Sequence, residues 1–129
     1  MSSILKLEHC YKEFGENVVL KDVNLHVNTG DKIALIGESG SGKTTLLNII
    51  GLMDESTQGI YSLYGRIIDD LSDHELSSIR GDVFSFVFQA YHLVDKLTVE
   101  ENITLPFLYK GFECSKEKLK SIMEKSGVN

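Results

Sequence analysis

Residues 37–44 constrain the fold more than any other stretch, because they read Gly-Glu-Ser-Gly-Ser-Gly-Lys-Thr and fit the pattern G-x-x-x-x-G-K-[ST]. The apolar run 33–36 precedes them and the apolar stretch 45–50 follows, so a strand is expected to enter this loop and a helix to leave it. The three glycines allow successive backbone N–H groups to converge on an anion, which the helix N-terminus also faces. The pattern therefore predicts a nucleoside triphosphate site, and we call residues 37–44 the P-loop.

The side chains of the P-loop are expected to have separate tasks in nucleotide binding. Lys43 is expected to reach the β- and γ-phosphates and so to act in catalysis, and the Thr44 hydroxyl is expected to bind Mg²⁺. Glu38 brings a negative charge near a polyphosphate and is expected to point to solvent. The alternative interpretation, a solvated Gly/Ser linker, is disfavoured by the flanking strand and helix patterns. The predicted nucleotide-contacting residues of this segment are Gly37, Glu38, Ser39, Gly40, Ser41, Gly42, Lys43, Thr44 and Thr45.

Composition limits the partners that the chain can have. A length of 129 residues is typical of one domain. The net charge of −6 argues against nucleic acid as the main partner. Cys10 and Cys114 form no C-x-x-C pair and are expected to be reduced thiols. The longest apolar stretch, near residues 45–53, is interrupted by Asn48 and falls short of the ~18 residues of a membrane span. We therefore expect a soluble, intracellular protein.

Hydrophobic periodicity predicts the elements on either side of the P-loop. Alternation of apolar and polar residues indicates two half-exposed strands, at 4–11 and 19–27, with a turn at 14–17 between them. Residues 32–36 and 83–88 are mostly apolar and predict two buried strands of the parallel kind. The helix after the P-loop has apolar residues around nearly its whole circumference, which predicts burial on several sides.

Shorter elements are expected further along the chain. Residues 59–68 are expected to form a short strand pair. The sequences Ser-Asp-His-Glu at 72–75 and Thr-Val-Glu-Glu at 98–101 have the spacing of capping boxes, each of which opens a helix. Pro106 is expected to kink or divide the second of these helices. A last amphipathic helix is expected at 116–126.

Together with the P-loop, several stretches make the chain resemble the ATP-binding subunits of ATP-binding cassette (ABC) transporters over all 129 residues. The run from Ile-Arg at 79–80 to Phe-Val-Phe-Gln at 86–89, and Asn-Ile-Thr-Leu-Pro at 102–106, are similar to the subfamily of lipoprotein-release, macrolide/peptide-export and cell-division cassettes. The other stretches that carry the family resemblance are 19–25, 30–31, 37–47, 51–54, 57–59, 93 and 97–102.

This resemblance implies an α/β fold. A P-loop NTPase core, made of a partial parallel sheet with helices, is joined by an N-terminal antiparallel β subdomain and the start of a helical subdomain. In this interpretation the whole chain is the N-terminal part of one ABC ATPase domain. Residues 1–31 form the antiparallel β region, 32–89 the core from the P-loop to the family's glutamine, and 90–129 the start of the helical subdomain.

The resemblance also assigns roles outside the P-loop. Gln89 matches the family's glutamine, which takes a place in the Mg²⁺ shell, so it is implied to be both catalytic and metal-binding. Phe14 matches the aromatic residue that stacks on adenine, with Tyr11 as the alternative. Residues 90–110 resemble the segment that receives the coupling helix of a transmembrane permease. A second ATP-binding subunit is implied as a further partner.

The implied function is an ATP-binding, energy-coupling subunit that binds MgATP and drives export or extraction of a substrate by a membrane partner. Such a subunit is cytoplasmic and peripheral on the inner face of the cell membrane. The sequence has no match to the family's Leu-Ser-Gly-Gly-Gln signature or to its Walker B strand. The 129 residues alone are therefore not expected to turn over ATP, because the attacking water would be left unoriented.

Two other classes of function remain open from the residues alone. One is a non-catalytic nucleotide-binding module. The other is a free-standing P-loop enzyme, either a GTPase or a small-molecule kinase. A GTPase should contain Asp-x-x-Gly and Asn-Lys-x-Asp, and neither occurs. A small kinase usually has its P-loop within about the first 15 residues, whereas 36 residues precede it here.

Overall fold

The computed structural model describes residues 2–38, 40–88, 93–109 and 114–127. The chain divides into two compact units, Met1–Phe86 and Val87–Asn129. In the described ranges the first unit holds β1 to β4, α1, α2 and a short 3₁₀ turn, and the second holds α3 and α4. The elements are β1 Ser3–Phe14, β2 Asn17–Asn28, α1 Lys43–Ile50, β3 Gln58–Leu63, β4 Arg66–Ile67, the 3₁₀ turn Ile68–Asp70, α2 Asp73–Asp82, α3 Val99–Tyr109 and α4 Lys116–Lys125.

The four strands form one antiparallel sheet in the order β2-β1-β3-β4. β1 and β2 are joined by a two-residue turn, and Phe14 pairs with Asn17 where the hairpin closes. The two N-terminal strands and the later strand pair are therefore confirmed. β3 pairs with β4, its neighbour along the chain, and on its other edge with β1, so the sheet draws strands from both sides of the P-loop.

The core of the first unit lies between one face of this sheet and α1. From α1, only Leu46 and Ile49 are buried, while Leu47 is exposed. The predicted burial of this helix on several sides is therefore wrong for the described chain, because the sheet covers it from one side. Each buried apolar side chain stabilises the fold by about 1.5–3 kcal/mol. The buried core residues are Leu5, Leu7, Cys10, Leu20, Leu46, Ile49, Leu52, Tyr61 and Leu63.

The two predicted parallel strands are not formed in the described part of the chain. No strand is assigned at residues 31–38 or 84–88, and Ile36 is 94% exposed. A strand is stabilised by ladder hydrogen bonds to a neighbouring strand, and each strand of the described sheet is paired with another of its four members. An apolar run is therefore not sufficient to make a strand, and the expected burial at 32–36 and 83–88 is wrong for this structure.

Both predicted capping boxes are present. At the start of α2 the Glu75 N–H donates to Ser72 Oγ over 3.2 Å and the Ser72 N–H donates to the Glu75 carboxylate over 3.1 Å. Thr98 and Glu101 make the same reciprocal pair at the start of α3, over 3.2 and 3.4 Å. Two orphan N–H groups are satisfied at each helix start, which explains why these helices begin where the sequence predicts.

The second unit consists, within its described residues, of α3 and α4. α3 continues through Pro106 to Tyr109, so the helix is not divided at the proline. α4 begins after Ser115, whose hydroxyl accepts from the Lys118 N–H. None of the helices in the described ranges is long and apolar enough to cross a membrane.

Candidate functional site

The P-loop leads directly into the first turn of α1. Gly42 is the N-cap of this helix and Lys43 is its first residue, and the Leu46 N–H donates to the Gly42 carbonyl over 2.9 Å. Unlike the starts of α2 and α4, the start of α1 has no side-chain cap and no acidic residue in its first turn. The backbone N–H groups of that turn and the positive end of the helix dipole are thus available to an anion.

Gly42 fixes the position of this helix start against β2. It is buried with a φ of 93°, and a Cβ atom there would lie 2.9 Å from Leu20 Cδ2 and 3.1 Å from the Val19 carbonyl oxygen. A side chain at this position would both strain the backbone and push α1 away from the strand. The glycine that the motif requires therefore also allows the start of α1 to pack closely against β2.

Lys43 closes the P-loop from within. Its ammonium group donates a hydrogen bond to the carbonyl of Gly37, the first residue of the loop. The side chain therefore crosses the loop and places its positive charge beside Gly37. The Ser41 N–H donates to the Glu38 carbonyl over 3.1 Å and tightens the turn between them. The charge that is expected to meet a phosphate is thus already held over the loop.

Phe14 lies at the same end of β2 as the P-loop helix. Gly42 packs against Val19 and Leu20, and Leu20 is the ladder partner of Lys12, two residues before Phe14 on β1. Two strand residues span about 7 Å. Phe14 is 52% exposed, which leaves ring surface for a ligand. The ladder therefore places Phe14 two strand residues from the pair that lies beside the helix start, although 28 positions of sequence separate Phe14 from Gly42.

Lys12 is a residue of this region that the sequence reasoning missed. Its ammonium group lies 5.1 Å from the centre of the Phe14 ring, 3.1 Å from Asp54 Oδ1 and 2.7 Å from the Glu55 carbonyl oxygen. The Glu55 N–H and, to a smaller extent, the Lys12 ammonium lower the pKa of the Asp54 carboxyl, against a burial effect that raises it. The sequence did contain a signal for Lys12. This lysine lies two residues before Phe14 at the end of a predicted strand, and residues two apart on a strand lie on the same face.

The other end of α1 is held by β3. The buried phenol of Tyr61 donates a hydrogen bond to the Ile50 carbonyl, one of the carbonyls that a helix end leaves unpaired. Burial raises the pKa of this phenol far above its ordinary value. The helix that starts at the P-loop is thus tied to the sheet at its last residue as well as at its first.

Two further contacts hold the segment that follows α1. The Phe86 ring lies over Gly51, where a Cβ atom would come within 2.8 Å of Cε1 and Cε2 and closer still to Cζ. Arg80 Nε donates over 2.8 Å to the carbonyl of Leu52, a residue with a φ of 62°. α2 and the chain leading to Phe86 therefore both pack against the end of the P-loop helix.

Two of the predicted site residues, Ser39 and Gln89, lie outside the described residues, and so do residues 90–92 and 110 of the predicted permease contact. Of the predicted metal ligands, Thr44 is in the first turn of α1 and is exposed. A hydroxyl oxygen beside phosphate oxygens is the hard-donor set that Mg²⁺ prefers. Elsewhere in the described ranges, no group of three or more His, Cys, Asp or Glu side chains could hold a metal ion.

Comparison with known protein families gives one clear match. The sequence model described as ABC transporter matches residues 20–129. The macrolide export ATP-binding/permease protein MacB of Aggregatibacter actinomycetemcomitans is 39% identical over an alignment of 132 residues, gaps included, that covers 98% of this chain and 20% of that protein. MacB 1 of Yersinia pestis bv. Antiqua is 42% identical over an alignment of 115 residues that covers 86% of this chain and 18% of that protein. The chain thus spans about a fifth of the length of these curated relatives.

Solved structures give the same result for the fold. A dimeric structure of a bacterial ABC transporter cassette matches with a TM-score of 0.79 and 39% identity, over 94% of this chain and 55% of that one. A dimeric post-hydrolysis state of the same cassette, bound to ADP and Pi, matches equally well. These matches confirm the predicted α/β P-loop NTPase fold class.

Proposed function

This chain belongs to the ABC transporter family, and on that basis we propose that it forms the ATP-binding, energy-coupling part of a transporter. The observation that carries the proposal is the start of α1. There an uncapped helix N-terminus, the Lys43 ammonium and the Thr44 hydroxyl lie together at the end of the P-loop. These are the groups that a magnesium-bound polyphosphate requires.

The residues of the site would bind ATP in three ways. Backbone N–H groups of residues 37–45 cradle the phosphates, and Lys43 exchanges its bond to the Gly37 carbonyl for the β- and γ-phosphate oxygens. Phe14 stacks on the adenine, with Tyr11 as the alternative. Thr44 and Gln89 would hold a magnesium ion, which would offset the negative charge of the phosphates.

Hydrolysis belongs to the full-length protein in this proposal. Lys43 would stabilise charge on the transferred phosphoryl group, and Gln89 would take a place in the Mg²⁺ shell. The structural relative in a post-hydrolysis state, bound to ADP and Pi, supports ATP hydrolysis as the reaction.

The proposed partners follow from the relatives. The related cassette is dimeric, which supports a second ATP-binding subunit, and the MacB relatives combine an ATP-binding part with a permease. We assign the permease contact to residues around 90–110 and the location to the inner face of the cell membrane, on its cytoplasmic side. The net charge of −6 is unsuited to nucleic acid as the main partner. Export or extraction is the proposed direction of transport.

Titration calorimetry of the full-length protein with MgATP and with MgADP tests this function. We expect one nucleotide per chain and release of phosphate from ATP. Lack of any nucleotide binding would contradict the proposal. Binding without hydrolysis by the full-length protein would instead favour the non-catalytic nucleotide-binding module.

A further inference from the structure

Lys12 is nearly buried, which is unusual for a lysine. Its side chain is 13% exposed, whereas that of Lys6 on the same strand is 50% exposed. A lysine is retained in such a position only when its charge is paired. The Asp54 carboxylate and the Glu55 carbonyl provide the pairing, at 3.1 and 2.7 Å.

These two partners belong to the segment that directly follows the P-loop helix. The segment is docked on β1 by two more hydrogen bonds, from the Glu13 N–H to Thr57 Oγ1 over 3.0 Å and from the Thr57 N–H to the Tyr11 carbonyl over 2.8 Å. Lys12 also contacts Phe14, since its ammonium lies 5.1 Å from the centre of the Phe14 ring. The ring at the end of β1 is thus connected through one side chain to the chain leaving α1.

We propose that Lys12 is a positioning residue for nucleotide binding, which holds the Phe14 ring in a fixed orientation relative to the P-loop helix. The ammonium occupies one face of the ring by a cation–π contact. The exposed half of Phe14 then offers the opposite face to a flat base. The proposal rests on the proposed function, since it deepens the assignment of Phe14 as the adenine-stacking residue.

The physical effect of Lys12 is preorganisation. An exposed aromatic side chain at a strand end must lose its rotameric freedom when a base stacks on it, and that cost is lower when the ring is already held. Fixing the ring to the segment after α1 also sets the distance between the base contact and the phosphate contacts. Lys12 is therefore expected to affect ligands that carry a base and to leave a bare polyphosphate unaffected.

The test compares two ligands in the full-length protein, MgATP and magnesium tripolyphosphate. We expect Lys12→Met to raise the Kd of MgATP about 3- to 10-fold, the range that corresponds to one immobilised side chain. The Kd of tripolyphosphate is expected to stay within about 2-fold, because the P-loop contacts are unchanged. Lys12→Arg keeps a cation that stacks on aromatic rings and is expected to restore most of the ATP affinity.

A matched control and a double variant complete the experiment. Lys6→Met removes a lysine from the same strand that pairs with Glu8 over 3.0 Å, and should change neither Kd. Lys12→Met in a Phe14→Ala background should add no further loss of ATP affinity, because the ring that Lys12 holds is gone. Circular dichroism melting checks that each variant is folded. Asp54 is partly exposed, so water can solvate its carboxylate in Lys12→Met.

The outcomes separate this inference from the function on which it rests. An equal loss of ATP and tripolyphosphate affinity in Lys12→Met would show a general electrostatic or structural role and overturn the inference. So would an unchanged ATP affinity, or additive losses in the double variant. A failure of the unaltered protein to bind ATP would overturn the proposed function itself.

Discussion

The Lys43 ammonium donates a hydrogen bond to the Gly37 carbonyl, so the first and the last part of the P-loop are joined by the side chain that is expected to bind phosphate. Binding of a nucleotide exchanges this bond for bonds to phosphate oxygens. Because the charge is already held over the loop, little rearrangement of α1 is needed for the exchange. The substitutions below test the contacts of the site and of α1 one at a time, by nucleotide affinity or by the free energy of unfolding.

Lys43→Ala is expected to weaken MgATP binding by the full-length protein about 10- to 150-fold. A charge-assisted hydrogen bond stabilises by about 1.5–3 kcal/mol, and the substitution removes the only lysine or arginine of the P-loop. Titration calorimetry measures the change, with the exposed Lys21→Ala on β2 as the matched control. Equal ATP affinity in the wild type and Lys43→Ala would show that the site lies elsewhere.

Phe14→Ala is expected to weaken ATP binding by a smaller amount than Lys43→Ala. Stacking of a base on an aromatic ring is worth about 1–3 kcal/mol, and it needs only a flat π-face, so Phe14→Tyr should be close to neutral. Fluorescence titration with a labelled ATP analogue gives the affinities. A larger loss in Tyr11→Ala than in Phe14→Ala would transfer the stacking role to Tyr11.

Gly51→Ala is expected to destabilise the first unit by about 1–3 kcal/mol, because the added methyl group collides with the Phe86 ring. Gly51 is the C-cap of α1 with a φ of −81°, so alanine fits the backbone and gains only about 0.4–1 kcal/mol from the restricted unfolded chain, less than the overpacking cost. Urea denaturation followed by circular dichroism measures the difference.

Gly81→Ala is the matched control, since it lies in α2 and a Cβ atom there has nothing within 4 Å. It should stabilise the protein by about 0.5–1 kcal/mol. If both alanine variants shifted the urea midpoint upwards, the close packing of Phe86 on Gly51 would be contradicted.

Tyr61→Phe is expected to destabilise the protein at neutral pH by about 1–3 kcal/mol, because the Ile50 carbonyl loses its donor while staying partly buried. Urea denaturation near neutral pH measures this effect. A variant as stable as the wild type would mean that water replaces the phenol at the helix end.

The stability difference between the wild type and Tyr61→Phe is also expected to depend on pH. Burial raises the pKa of the Tyr61 phenol from its ordinary 10.0, so above that pH the unfolded chain loses a proton that the folded chain keeps. The folded state then binds more protons, and its stability falls as the pH rises. Tyr61→Phe lacks this fall, so the stability difference between the two proteins should stay constant at lower pH and narrow as the pH rises above about 10. A constant difference would contradict the burial of the phenol.

The features that could be predicted from the sequence are those set by neighbouring residues. A glycine at 42 and a lysine at 43 after an apolar run predict a helix start that binds phosphate, because backbone φ and N–H direction depend on the residue itself. The capping boxes at Ser72 and Thr98 were predicted for the same reason, since each closes over three residues. Ser39 and Gln89 stay predictions, because they lie outside the described residues.

Only the tertiary structure decided which distant groups meet. Lys12 finds its partners 42 and 43 positions away, and β3 pairs with β1 across the whole P-loop, and no local pattern encodes either contact. The apolar runs 32–36 and 83–88 show the same limit, because composition predicted strands where the described chain has none. Local geometry is determined by bonded neighbours. Strand pairing and burial depend on which surfaces the rest of the chain brings into contact, and these follow from the packing of the whole fold.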